Sequence, residues 1–165
     1  MTNIPNNDVD QPLNRFIRMF EVFEKANVSY ILIGGFAVVL YGMQRLTRDI
    51  DILVEMVPDN IEKLRKALVS VYQDQSIEEI TFEELEKYSV IRYVAPDGLC
   101  VDIISRLGDA FSYKDLDFKK LELEGIEVRI ATPETLLRLK KDTVRPEDKM
   151  DAAFLEELFK KAKDD

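Results

Sequence analysis

Histidine is absent from this chain. Ser–His and Cys–His catalysis and histidine-ligated metal centres are therefore excluded from its own chemistry. Cysteine is nearly as scarce. Cys100 stands alone, which excludes an intrachain disulfide and the usual zinc cluster. Its surroundings, Leu99 to Ile104, are largely apolar, so it reads as a small buried hydrophobe rather than a nucleophile. No apolar run approaches the roughly 20 residues that span a bilayer. The polar, slightly acidic start MTNIPNNDVDQP is unlike a secretory or organellar leader, and the expectation is a cytoplasmic protein with no membrane partner. Positive charge is short too. A formal net charge of −9 argues against a surface that grips nucleic acid non-specifically. What remains for catalysis is carboxylate, lysine, arginine, tyrosine or a hard metal ion.

What is present is an ordinary globular composition, 46% apolar and 33% charged. Residues 1–11 lack periodicity and read as a loose tail, leaving 12–165 as one domain with room for a core. Leu13, Phe16, Ile17, Phe20 and Phe23 recur at helical spacing and predict an amphipathic helix over 12–26. A buried strand is expected at 28–33, a short helix at 35–43, a polar connection at 44–48 and a strand at 49–54. Pro58 opens a helix carrying Ile61, Leu64, Ala67, Leu68 and Val71 on one face. Residues 76–87 read as short helical or irregular structure. Runs 88–94 and 99–105 flank Ala95-Pro96-Asp97-Gly98, a strong hairpin signal. Residues 106–124 read as loop with a helical turn, and 126–130 as a final strand. Thr132-Pro133-Glu134 opens a helix to about Lys141. Met150, Phe154, Leu155 and Leu158 mark a last helix. The fold class is α/β (α+β), a mixed sheet with helices packed on it; the glycine pair at 34–35 lacks the G-x-G-x-x-G spacing of a Rossmann domain.

Functional information concentrates in residues 30–51, YILIGGFAVVLYGMQRLTRDID. Gly34-Gly35 follows a strand and opens a helix. Without Cβ atoms, the backbone there can approach a phosphate chain closely. Taken alone, a plain tight turn explains the pair equally well. Asp49 and Asp51, two apart in a strand, project to the same face. Two such carboxylates need a cation or donors; Arg45, Arg48 or lysines could neutralise them in a purely structural role. Asp102 shifts the balance, as the only charged residue in a buried-looking strand. Three aspartates and no histidine suit Mg2+, with two ions expected and Mn2+ as a substitute. From Arg129 to Lys149 the charge reverses locally, six basic residues against four acidic. Lys140 and Arg145 are candidate phosphate contacts, whereas Asp148 and Asp151 read as acids of a helix start with surface ion pairs.

These stretches, Gly34-Gly35, Thr47-Arg48-Asp49-Ile50-Asp51, Asp102 and Lys140…Arg145-Pro146-Glu147-Asp148…Asp151, resemble the nucleotidyltransferase superfamily of the DNA polymerase beta type. Within it the nearest likeness is to small bacterial proteins similar to the AbiEii-type toxin of abortive-infection toxin–antitoxin systems. The resemblance implies the nucleotidyltransferase fold. It also implies metal binding by Asp49, Asp51 and Asp102, and nucleotide contacts from Gly34, Gly35, Arg48, Lys140 and Arg145. Many superfamily members have Gly-Ser where this chain has Gly34-Gly35, so one phosphate-contacting hydroxyl is missing. No acceptor-selecting domain is visible; a partner protein, a homodimer interface or a very small acceptor would fill that role. The leading expectation is Mg2+-dependent transfer of NMP from an NTP such as ATP to a hydroxyl of RNA, protein or a small molecule. Two alternatives stand beside it: a non-enzymatic nucleotide-binding regulator or toxin–antitoxin partner, and an aminoglycoside nucleotidyltransferase, which charge complementarity favours.

Overall fold

The computed structural model describes residues 12–44, 46–47, 49–140 and 145–164. The tail 1–11 and the arginines at 45 and 48 lie outside the described residues. Helix α1 (Pro12–Lys25) buries Phe16, Met19, Phe20 and Phe23 at the spacing of one helical face. Leu13 is not part of that face and stays exposed. The helix stops where Asn27 takes a positive φ of 57°. Strand β1 (Tyr30–Ile33) is buried at every position, as a central strand requires. It runs directly into α2 (Gly34–Leu40). Next come β2 (Asp49–Val54), α3 (Pro58–Val71) and a 3-10 turn at Gln75–Glu79. Helix α4 (Phe82–Lys87) follows, capped by Thr81 Oγ1 accepting from the Glu84 amide.

The expected hairpin is present. β3 (Val90–Val94) and β4 (Cys100–Ile104) flank a turn in which Asp97 Oδ1 accepts from the Leu99 amide and Gly98 takes a φ of +90°. The stretch expected to be loop, 106–124, holds the anticipated helical turn at Tyr113–Asp115 but also a strand, β5 (Phe118–Leu123). It pairs with β6 (Ile126–Ala131) through Glu124-Gly125. β5 is an edge strand in which half of the side chains are charged, and its shallow alternation, FKKLEL, hides it from a pattern search. Helices α5 (Pro133–Lys140) and α6 (Pro146–Asp164) complete the fold. α6 begins earlier than its apolar period indicates, and Met150, expected on the packed face, is 63% exposed. The face it buries is instead Asp148, Asp151 and Leu155.

The sheet order is β3-β4-β2-β1-β6-β5. β1 is antiparallel to β2 and parallel to β6, β2 is parallel to β4, and the outer pairs are antiparallel. This is the mixed sheet with packed helices that the alternation of periods predicts. One apolar cluster runs from Phe16 to Leu155 through the strand interiors.

Buried Asn60 of α3 ties the base of the site strands together. Its Oδ1 accepts from the Ser29 amide at 2.8 Å, and its Nδ2 donates to Ser29 O at 3.0 Å and Glu55 O at 2.9 Å. The start of β1 and the end of β2 are thereby held at one side chain. Asn60→Ala removes this partner from the Ser29 amide and the Glu55 carbonyl, while Ser29 O keeps the Glu55 amide, and should cost about 2–3 kcal/mol, read as a lower urea midpoint with unchanged slope. A change under about 0.5 kcal/mol would show that water replaces the amide without loss.

Candidate active site

β2 and β4 share one burial pattern, polar positions at the first and third residues and apolar burial after them. Their parallel register sets Asp49 opposite Cys100 and Asp51 opposite Asp102. On the other side of Asp51 lies Ile33, the last residue before the glycine turn, and beyond Asp102 lies Arg92 of β3. Arg92, Asp102, Asp51 and Ile33 thus form one row across four strands. Adjacent strands are about 4.8 Å apart, which forces the two carboxylates together. Burial first, then hydrogen bonding to Asp102 and the charges of Asp102 and Asp49, push the Asp51 pKa up to about 7, against the opposing pull of Lys140.

Gly34 is required by both conformation and space. Its φ is +77°, and a Cβ there would collide with Asp51 Oδ2. The start of α2 can therefore lie flat against the carboxylate. Ile33 offers no side-chain cap to the first-turn amides, and Gly34 and Gly35 both face a cleft of about 280 Å³. Thr47, Asp49, Asp51, Lys140 and Arg145 line the rest of it, with Glu147 and Asp148 at its edge.

The far wall is an ion cluster joining α5 to α6. Lys140 Nζ donates to Asp151 Oδ2 at 2.7 Å and to Asp148 Oδ1 at 3.2 Å. Arg145 Nε donates to Asp148 Oδ2 at 2.9 Å. Asp148 and Asp151 are buried, Asp151 completely, which corrects the expectation of surface ion pairs at a helix start. Buried carboxylates need a partner, and Lys140 is that partner. Lys140 lines the cleft but is held from behind. Arg145 is solvent-facing, and its guanidinium carries more donors than Asp148 takes.

Neutralisation of the aspartates comes from a residue that sequence reasoning missed. Arg92 donates to both oxygens of Asp102, at 2.9 Å and 3.0 Å, and stands 3.6 Å from Asp49 Oδ2. The hairpin turn carried the signal, because pairing outward from Ala95 and Leu99 brings 92 opposite 102. Phe111 was missed as well. It lines a second cavity of about 340 Å³, with Ile33, Leu107, Leu136 and Leu139, that shares Gly34, Lys140, Arg145 and Asp148 with the cleft. Cys100 is half-buried, and burial together with Asp49 pushes its thiol pKa up, against thiolate chemistry.

Asp49, Asp51 and Asp102 offer hard oxygen donors of the class that magnesium takes. Burial raises the Asp51 pKa most, and the neighbouring Asp102 and Asp49 add a crowding of negative charge that a divalent cation would relieve. Against this, Arg92 holds both Asp102 oxygens, and among the described residues no three acid, cysteine or histidine side chains close around one point. The residue types fit the ion. The arrangement present is the arginine-bound one.

The raised Asp51 pKa has a sign that can be measured. In chelator the folded chain holds the Asp51 proton up to about pH 7, while the unfolded chain loses it near 3.8. The folded state binds the extra proton, so the contribution is complete below the unfolded pKa and is lost as pH rises through about 7. Between about pH 5 and about pH 8 the wild type should lose on the order of 1–2 kcal/mol more than Asp51→Asn in urea unfolding, a figure reduced for partial solvation. Equal slopes for the two proteins would remove the carboxylate crowding from the account.

The model of the aminoglycoside-2″-adenylyltransferase family matches residues 15–155. No curated protein sequence matches the chain. Among solved structures, the lincomycin-bound lincosamide antibiotic adenylyltransferase LnuA is 18% identical, over 86% of this chain and 94% of that one, with a TM-score of 0.53. ANT(2″)-Ia in complex with adenylyl-2″-tobramycin is 11% identical, over 87% and 86%, with a TM-score of 0.54. An antigenic nucleotidyltransferase-like protein from Paracoccidioides brasiliensis is 17% identical, over 87% and 75%, with a TM-score of 0.55. At such identities the structures establish a shared fold. The family match spans every strand of the sheet and both walls of the cleft, and the chain belongs to the aminoglycoside-2″-adenylyltransferase family, a family of nucleotidyltransferases.

Proposed function

We propose that this nucleotidyltransferase moves a nucleoside monophosphate from a nucleoside triphosphate, with magnesium, to a hydroxyl of a small cationic acceptor of the aminoglycoside kind. The observation that carries the reading is the Asp51–Asp102 pair, set side by side across β2 and β4, with Asp51 lining a cleft that Gly34, Gly35, Lys140 and Arg145 also line. Held by Asp49, Asp51 and Asp102, magnesium would screen the triphosphate and make the attacking hydroxyl more acidic. The glycine backbone admits the phosphates closely, and the remaining donors of Arg145 face them. Lys140, fixed by Asp148 and Asp151, keeps its ammonium at the wall without side-chain motion. The acceptor oxygen bonds to the α-phosphorus, the bond from that phosphorus to the bridging oxygen breaks, and pyrophosphate leaves. The hydroxyl proton passes to the Asp102 carboxylate of the pair.

Three facts support a cationic acceptor: the family match, the net charge of −9, and the exposed acid Glu147 lining the cleft. The related structures hold lincomycin in one case and adenylylated tobramycin in the other. Incubation with labelled ATP and other NTPs, plus a panel of aminoglycosides and lincosamides, should give a labelled antibiotic only with Mg2+ or Mn2+. Asp51→Asn and Asp102→Asn should each lower turnover by at least about 10³-fold with far-UV circular dichroism unchanged. Label on RNA or protein instead would favour the toxin-like setting. No nucleotide binding in calorimetry with Mg2+ would overturn the reading.

The neighbouring apolar cavity suits the nucleobase. Phe111 forms one of its walls, and the Arg138 guanidinium lies 5.2 Å from that ring's centre. A base stacked there would hang from phosphates lying over Gly34, and base–aromatic stacking contributes about 1–3 kcal/mol. Phe111→Ala should therefore weaken ATP binding about fivefold or more, while inorganic tripolyphosphate, which has no base, binds as before. Equal weakening of both would place the effect on the phosphates.

A further inference from the structure

Among the cations that hold carboxylates in and beside the cleft, Lys140 and Arg92 are built in opposite ways. Lys140 is buried together with Asp148 and Asp151, so none of the three can turn away without leaving a bare charge inside the protein. Arg92 sits on β3, the edge strand, and is 59% exposed, while its partner Asp102 is only 14% exposed. The arginine arm can swing into water at little cost, because a pair that is half in solvent is weak. Asp102 is short, buried at its base and cannot follow. The pairing nevertheless uses both Asp102 oxygens, and the same guanidinium reaches 3.6 Å from Asp49 Oδ2. Those are the oxygens that a divalent ion at Asp49, Asp51 and Asp102 would need.

We propose that Arg92 is a displaceable counter-cation of the acid cluster: it occupies Asp102 and approaches Asp49 when no metal is bound, and a divalent ion must push it aside to load the site. Arg92 is then a positioning residue that sets the metal concentration at which the cleft becomes charged with ion. This rests on the metal-dependent reading above. The competing account has the arginine fork orienting Asp102 while the metal takes the carboxylate's other lone pairs. The two accounts predict opposite signs. If Arg92 competes, removing it strengthens metal binding; if it orients, removing it weakens metal binding.

The test titrates Mn2+ alone into wild type, Arg92→Gln and Arg92→Lys, following free Mn2+ by electron paramagnetic resonance, with Mg2+-induced thermal shift as a second readout. The glutamine variant should bind Mn2+ about threefold to tenfold more tightly than wild type. Its melting temperature should be lower in chelator yet rise further on Mg2+ addition. The lysine variant, which keeps the charge and loses the paired N–H fork, should fall between the two. Unchanged or weaker Mn2+ binding by the glutamine variant overturns the proposal and leaves the nucleotidyltransferase reading intact. Absence of saturable Mn2+ binding in all three overturns both. Should circular dichroism show the glutamine variant unfolded, the lysine variant decides alone: tighter binding than wild type supports displacement, and equal or weaker binding ends it.

Discussion

The in-register parallel pairing of β2 with β4 is the constraint on which the rest of the site depends. Each strand enters the sheet with a half-buried, buried, half-buried start and then buries its remaining residues. A slip of one residue would turn Asp51 or Asp102 into the core and an isoleucine out of it, which the period of a strand makes prohibitive. The apolar halves of the strands therefore choose the register, and the register presses two carboxylates together. Nothing about the carboxylates favours this. Asp51 pays in an elevated proton affinity, and the stability comes from Ile50, Ile52, Leu53, Val101 and Ile103 buried beyond them.

Around that pair the structure distributes positive charge at two depths. Lys140 belongs to the interior and fixes how α5 and α6 meet, since separating them would strand two buried carboxylates. Arg92 belongs to the surface and holds Asp102 from the edge of the sheet. One arrangement is rigid and frames the cleft; the other answers to whatever cation arrives. Gly34 completes the geometry from the third side, where any Cβ would occupy the space taken by the Asp51 carboxylate.

Much of this was legible from residues alone. The turn at Gly34-Gly35, the same-face pair Asp49 and Asp51, the lone charge of Asp102 and the hairpin at 95–98 all follow from local rules of spacing and φ. Gly34, Gly35, Asp49 and Asp51 line one cleft, and Asp102 is paired beside Asp51. Arg48 falls outside the described residues. The errors have a common source. β5 was hidden because an edge strand can be charged on half of its positions and still pair. Asp148 and Asp151 read as surface acids because a helical wheel assigns its buried face by hydrophobicity, and here a lysine from another helix makes the acidic face the buried one. Arg92 was missed because its partner lies ten residues away across a turn, and only counting the register outward from that turn pairs the two.

The amino-acid sequence by itself determined the chemistry on offer: oxygen donors without imidazole, a glycine turn where phosphate can approach, and strands whose alternation points the acids outward. These are properties of near neighbours, set by backbone periodicity and side-chain type. Which charges end up touching was decided only by the tertiary structure. The strand order, the depth of Lys140 and the reach of Arg92 depend on long-range packing of the apolar core. Whether a carboxylate is met by lysine, arginine or a neighbouring carboxylate follows from where that packing leaves it.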